Sequence, residues 1–144
     1  MDDAYYMRMA LSQAQEAFLE DEVPVGAVLV CQDRILAKTH NLTERLVDVT
    51  AHAEIQALTA AENLLGKKFL EDCTLYVTLE PCLMCAGALR WARIGRLVWG
   101  ADDPKQGYRL FAVDALHKKT QVEKGVLEKE CQNLMTEFFR SKRS

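Results

Sequence analysis

The chain alternates between segments with a helical period and short apolar runs, and turn-forming residues separate them. Over residues 3–19, Tyr6, Ala10, Gln13/Ala14 and Ala17 recur at steps of three and four, the spacing of an amphipathic helix face. Asp21-Glu22-Val23-Pro24 ends that helix. From Val25 to Cys31 the run is apolar on both faces, as a strand buried inside a sheet requires. Gln32-Asp33-Arg34 reads as a hairpin turn into a second strand, Ile35 to Thr39. Residues 40–50 are polar loop. Thr50 is placed to cap a helix from about 51 to 65, and Gly66 stands where a C-cap glycine belongs.

The second half repeats the alternation. Thr74 to Leu79 predicts a strand, and Pro81 suits the first position of a helix running to Trp91, where its missing N–H costs nothing. Leu97-Val98-Trp99-Gly100 predicts a short strand, followed by loop residues Asp102-Asp103-Pro104 and Gly107. Val126 to Phe139 closes the chain as a helix with a basic end at Arg140, Lys142 and Arg143. Residues 107–120 have no pattern that assigns them. A hairpin followed by helices alternating with strands predicts an α/β sandwich around a mixed sheet.

At 144 residues the chain makes one domain, 1–144. A domain of this length buries roughly 68–70% of its unfolded surface and needs no disulfide staple. The longest nearly unbroken apolar stretch, Val25 to Cys31, is far shorter than the ~20 residues that span a bilayer. Met1-Asp2-Asp3 is acidic where a signal peptide is basic, so a cytoplasmic protein without a membrane partner is expected. Net charge is −3, but residues 1–22 hold six acids and one base, which leaves the rest of the chain slightly basic. That balance neither marks nor excludes a polyanionic partner. Five cysteines in a reducing compartment point to metal binding or catalysis rather than disulfides.

His52, Cys82 and Cys85 are the soft or borderline ligands that stand out. Cys82 and Cys85 are three apart at a helix start, so their sulfurs share one side of its first turn, where the helix dipole favours thiolate. His52 begins the preceding helix, and a right-handed crossover brings two such helix starts to comparable sheet ends. One imidazole and two thiolates suit zinc, and three protein ligands leave a position for water, the mark of a catalytic site. Glu54 reaches that position without being a ligand, and a carboxylate beside an acidified water can take up and redeliver its proton. The competing readings are a redox Cys-x-x-Cys pair and a structural zinc site. The latter needs a fourth ligand, for which His40, His117, Cys31, Cys73 and Cys131 are the spare candidates; the three cysteines read better as small buried hydrophobes and the two histidines as ordinary polar residues.

His52-Ala53-Glu54 with Pro81-Cys82-Leu83-Met84-Cys85 resembles the zinc nucleobase-deaminase superfamily. The likeness is strongest to the bacterial tRNA-specific adenosine deaminases and covers most of the chain. It includes Glu22-Val23-Pro24-Val25-Gly26-Ala27-Val28, Thr50-Ala51, Leu75-Tyr76-Val77-Thr78-Leu79-Glu80, Ala86-Gly87-Ala88, Ala92-Arg93-Ile94 and Phe138-Phe139-Arg140. The resemblance implies a cytidine-deaminase-like three-layer α/β/α sandwich, one Zn2+ per chain, a homodimer, and a flipped adenosine from a tRNA anticodon loop deaminated at C6 to inosine. It implies base binding by Asn41 and the Ala53 amide, and contacts from Asp103 and Lys105 to flanking nucleotides. Arg140, Lys142 and Arg143, with Lys105 and Arg109, are the expected RNA contacts. The chain departs from the family pattern at Val49 and over a shortened segment, 107–122. The rival expectations are a deaminase of free purine or pyrimidine nucleosides or bases, and a zinc-stabilised binding module without activity.

Overall fold

The apolar run after Pro24 lies inside the sheet as β1 (Gly26–Cys31), and the hairpin returns it as β2 (Arg34–His40). The computed structural model describes residues 1–143. With β3 (Cys73–Leu79), β4 (Arg96–Ala101) and β5 (Gln121–Lys124) it forms a five-stranded sheet in the order β2-β1-β3-β4-β5. β1 is antiparallel to both β2 and β3, whereas β3, β4 and β5 run parallel. The sheet is therefore mixed, as the hairpin-then-alternation pattern predicts.

Helices cover both faces. Alternate residues of the buried strands point to opposite sides: Ala27, Leu29, Leu75, Val77, Leu97 and Trp99 pack with α2 (Ala53–Leu65) and α3 (Leu83–Ala92). Val28, Val30, Tyr76 and Val98 pack under α1 (Asp3–Leu19) and α4 (Glu128–Lys142). This is a three-layer α/β/α sandwich. Asp3 ties the layers together through two 2.7 Å bonds from the Arg96 guanidinium and one of 2.8 Å from the Tyr76 hydroxyl.

Several boundaries differ from the pattern. The helix expected from 51 begins at Ala53 because His52, not Thr50, is the N-cap; the Thr50 hydroxyl and amide are both taken by the Asp48 carboxylate. Pro81 precedes α3 instead of opening it: Cys82 is the N-cap and Leu83 the first helical residue. Gly66 caps α2 in the left-handed conformation, φ 66°, as expected. Within 107–120 the chain forms a single 3₁₀ turn, Tyr108–Leu110, before β5, a strand absent from the pattern. The last helix starts two residues later and ends three later than expected, and it carries Glu128 and Glu130 in its first turn and Arg140 and Lys142 in its last, complementing its dipole. Among the described residues no helix is long and apolar enough to cross a membrane.

Candidate active site

Two helix starts meet beyond the C-terminal end of β3. His52 caps α2 and Cys82 caps α3, both in extended backbone, and neither side chain makes the usual capping bond. Both side chains are thereby free to turn toward each other. His52 Nδ1 lies 3.6 Å from Cys82 Sγ and 3.5 Å from Cys85 Sγ. All three donor atoms fall within 4.8 Å of one another. Among the described residues this is the one group of three or more His, Cys, Asp and Glu donors arranged to hold a metal ion.

The spacing allows a test of which ion fits. Zinc bonds of about 2.3 Å to sulfur and 2.0–2.1 Å to nitrogen, opened at a tetrahedral angle, hold N and S about 3.6 Å apart. The observed separations match, and the ligand set of one imidazole and two thiols is the kind zinc takes. The site fits a zinc ion held by three protein ligands. His40 and His117 lie elsewhere: His40 bonds Gln13 and Glu20, and His117 accepts the Lys119 amide. Cys73 and Cys131 are buried thiols, each pushed up to about 12 chiefly by burial.

Electrostatics separate the members of the cluster. The hydrogen bond from Cys85, reinforced by His52, holds the Cys82 thiol down near 4, so it is a thiolate at neutral pH. The same bond and burial push Cys85 up. Glu54, in the first turn of α2, is 3% exposed. Burial, with the neighbouring Cys82 charge, raises its carboxyl to about 7.

A cleft of about 1040 Å³ opens over this cluster. His52, Ala53, Glu54 and Cys82 form one wall, with Asn41 beside them. Asp103 and Lys105 form a second wall, and Arg140 and Lys142 from the last turn of α4, with its C-cap Arg143, form a third. Asn41 is buried; its amide donates to the Val23 carbonyl and its oxygen accepts the Thr43 amide, leaving one hydrogen and one lone pair unused. The Ala53 amide is one of the first-turn donors that a helix leaves unpaired. Asp103 Oδ1 accepts the amides of Lys105 and Gln106 and so closes its own turn. Lys142 is paired with Asp21. Arg109 does not line the cleft; it forks onto Glu80 and forms an ion pair with Asp102.

Three bracing residues escaped the pattern. Gln56 reaches back from α2 to donate to the carbonyls of His40 and Ala51, fixing the loop that carries Asn41. Glu22, fully buried, accepts the amides of Glu44 and Arg45 in the same loop. Glu80 does the equivalent for the Asp103 loop. Glu22 and Glu80 both stand in stretches that carry the family resemblance, and Glu80 is an acid between the apolar end of β3 and Pro-Cys-x-x-Cys; Gln56 has no such signal.

Comparison with known proteins agrees with this geometry. A family model described as a MafB19-like deaminase matches residues 1–143. A tRNA-specific adenosine deaminase of Agrobacterium fabrum is 46% identical over 96% of the chain and 95% of its own length. A structure from work on A-to-I editing by tRNA:A34 deaminases at the wobble position of transfer RNA superposes with a TM-score of 0.84, covering 90% of this chain and 98% of that one at 45% identity. A guanine deaminase from Bacillus subtilis is 36% identical, covering 71% of this chain and 66% of its own, with a TM-score of 0.68.

Proposed function

The chain belongs to the deaminase family that includes the tRNA-specific adenosine deaminases, and from that premise we propose that it hydrolyses adenosine to inosine at the wobble position of a tRNA anticodon. The observation that carries the substrate class is one cleft lined both by His52 and Cys82 of the ligand cluster and by the basic end of α4. A site for a free base needs no row of cations at its rim; one for a nucleotide within RNA does, because phosphates flank it.

His52, Cys82 and Cys85 would hold one zinc ion per chain. Bound there, zinc supplies a water acidic enough to lose a proton near neutral pH. Glu54 takes a proton from the attacking water and delivers it to the exocyclic nitrogen as the C6–N bond breaks, so ammonia leaves and the ring keeps an oxygen. Its burial excludes bulk water from that exchange. Asn41 and the Ala53 amide, with their unused hydrogen-bonding capacity, orient the flipped base. Lys105, Arg140 and Arg143 take the flanking phosphates, and Asp103 shapes the loop beside them. Arg109, engaged by Glu80 and Asp102, acts as a brace instead of an RNA contact. The protein acts in the cytoplasm as a homodimer, the assembly that the family resemblance implies.

The likeness to a guanine deaminase favours a second reading, deamination of a free purine. Zinc-loaded protein incubated separately with tRNA, adenosine, adenine, guanine and cytidine separates the two. Inosine in tRNA with little turnover of the small molecules supports the proposal; good turnover of a free purine with none of tRNA establishes the second reading.

A further inference from the structure

Glu80 is a buried carboxylate, 3% exposed, two residues before Cys82, and among the described residues it hydrogen-bonds Asp103 and Arg109 rather than the ligand cluster or Glu54. The partners of the carboxylate itself lie on one segment. Its Oε1 accepts the Asp103 amide at 3.1 Å and Arg109 Nη2 at 3.1 Å; its Oε2 accepts Arg109 Nε at 3.0 Å and the Arg109 amide at 3.3 Å. The carboxylate therefore grips the loop 102–109 at both ends. Its own amide bonds the Ala101 carbonyl, the Tyr108 amide bonds the Pro81 carbonyl, and Cys82 bridges to Gly107. Position 107 has no room for a side chain, because a Cβ there would run into the Glu80 carboxyl group. Arg109 is held in turn by Asp102 at 3.1 Å and stacks over Trp99, 5.1 Å from the ring centre.

We propose that Glu80 is a positioning residue for substrate: it fixes the Asp103–Gln106 turn in register with the Cys82 segment, so that this wall of the cleft is preformed when the nucleotide enters. The loop has no strand or helix of its own between β4 and the 3₁₀ turn, and Glu80 supplies the backbone acceptors that regular structure would otherwise provide. A group that preorganises a binding wall is felt in substrate binding more than in the chemical step. The proposal rests on the functional reading above for the identity of the substrate, but not for the order of the loop.

The test is Glu80→Gln, which keeps size and one acceptor but loses the charge that Arg109 forks onto. In zinc-loaded variant protein the metal content stays at one per chain. KM for an anticodon stem-loop rises about 10-fold while kcat stays within about 3-fold, the split expected when binding preorganisation is lost. Asp103→Ala raises KM in the parent but adds little in the Glu80→Gln background, since both act through one turn. Amide exchange at Asp103 and Arg109, measured without RNA, accelerates in the variant. Should the Gln protein not fold, Arg109→Lys, which keeps the charge but loses the fork, carries the same measurements. Unchanged KM and unchanged exchange in a folded, zinc-loaded variant overturn the proposal, as does a full, additive Asp103→Ala penalty. A parent protein that deaminates no RNA ends the functional reading instead, and loop exchange still decides the role of Glu80.

Discussion

Replacing Arg140, Lys142 and Arg143 together by Gln isolates the part of the cleft that distinguishes an RNA enzyme from a nucleoside enzyme. The protein is acidic overall, at −3, so any affinity for a polyanion must come from a local surface. These three cations lie in or just after the last turn of α4 and line the same cleft as the His52 cluster. They are not equivalent: Lys142 is already paired with Asp21, whereas Arg140 and Arg143 are exposed. Each phosphate contact on a single strand contributes about 0.7 to the slope of log affinity against log salt. Two free arginines then contribute about 1.4, and a fully engaged trio about 2.1, on the same scale. Between 50 and 200 mM salt, the parent should lose roughly 7- to 18-fold more affinity than the variant. Fluorescence anisotropy of a labelled anticodon stem-loop across that salt range reads the slope directly. An unaltered slope and affinity in the folded triple variant would refute the placement of phosphates at the end of α4.

Three further outcomes follow from the site and its supports. Cys82→Ala is expected to lose the metal and with it stability, since two donors cannot hold zinc as three do; full occupancy by elemental analysis contradicts the ligand assignment. Glu54→Ala should keep metal and fold but lose about 10²–10⁴-fold in turnover, the usual worth of proton transfer, and near-parental activity would remove Glu54 from that role. The Arg96 fork, with the Tyr76 hydroxyl, holds the Asp3 carboxyl below its ordinary 3.8, so its stabilisation is complete above that value and fades as pH falls through the lower folded one. Asp3→Asn should therefore cost about 1–2 kcal/mol at pH 7 by urea unfolding and progressively less below pH ~4, whereas an equal cost at both contradicts the pairing.

What the sequence reveals about this molecule follows from where its information is local. β1 and β3 are legible because a strand buried on both faces draws on apolar and β-branched residues, and α1 because its buried face repeats every three to four residues. The His52–Cys82–Cys85 cluster is legible because ligand type and helix starts are both written in short motifs. β5 is not: Gln121 to Lys124 is exposed at all four positions and is a strand only because β4 offers it an edge. The start of α2 is misplaced because Thr50 has a local partner in Asp48, a competition between side chains that propensity does not rank. Glu22, Gln56 and Glu80 are harder still. Each is an ordinary polar residue whose importance comes from backbone groups brought to it by folding, as when Gln56 finds the carbonyl of His40 sixteen residues earlier. Arg109 shows the reverse: its charge suggests RNA, and a buried carboxylate twenty-nine residues away takes it.

The fate of one adenosine decides whether this protein is a wobble-position tRNA deaminase. A tRNA transcript with adenosine at the wobble position is incubated with zinc-loaded protein, and inosine is read at every adenosine by reverse transcription, with released ammonia measured alongside. Conversion is expected to be confined to the wobble adenosine, with one ammonia per inosine and none from a transcript with guanosine there. Inosine scattered over other loop adenosines, or ammonia released from free purines while the tRNA stays unchanged, would contradict it.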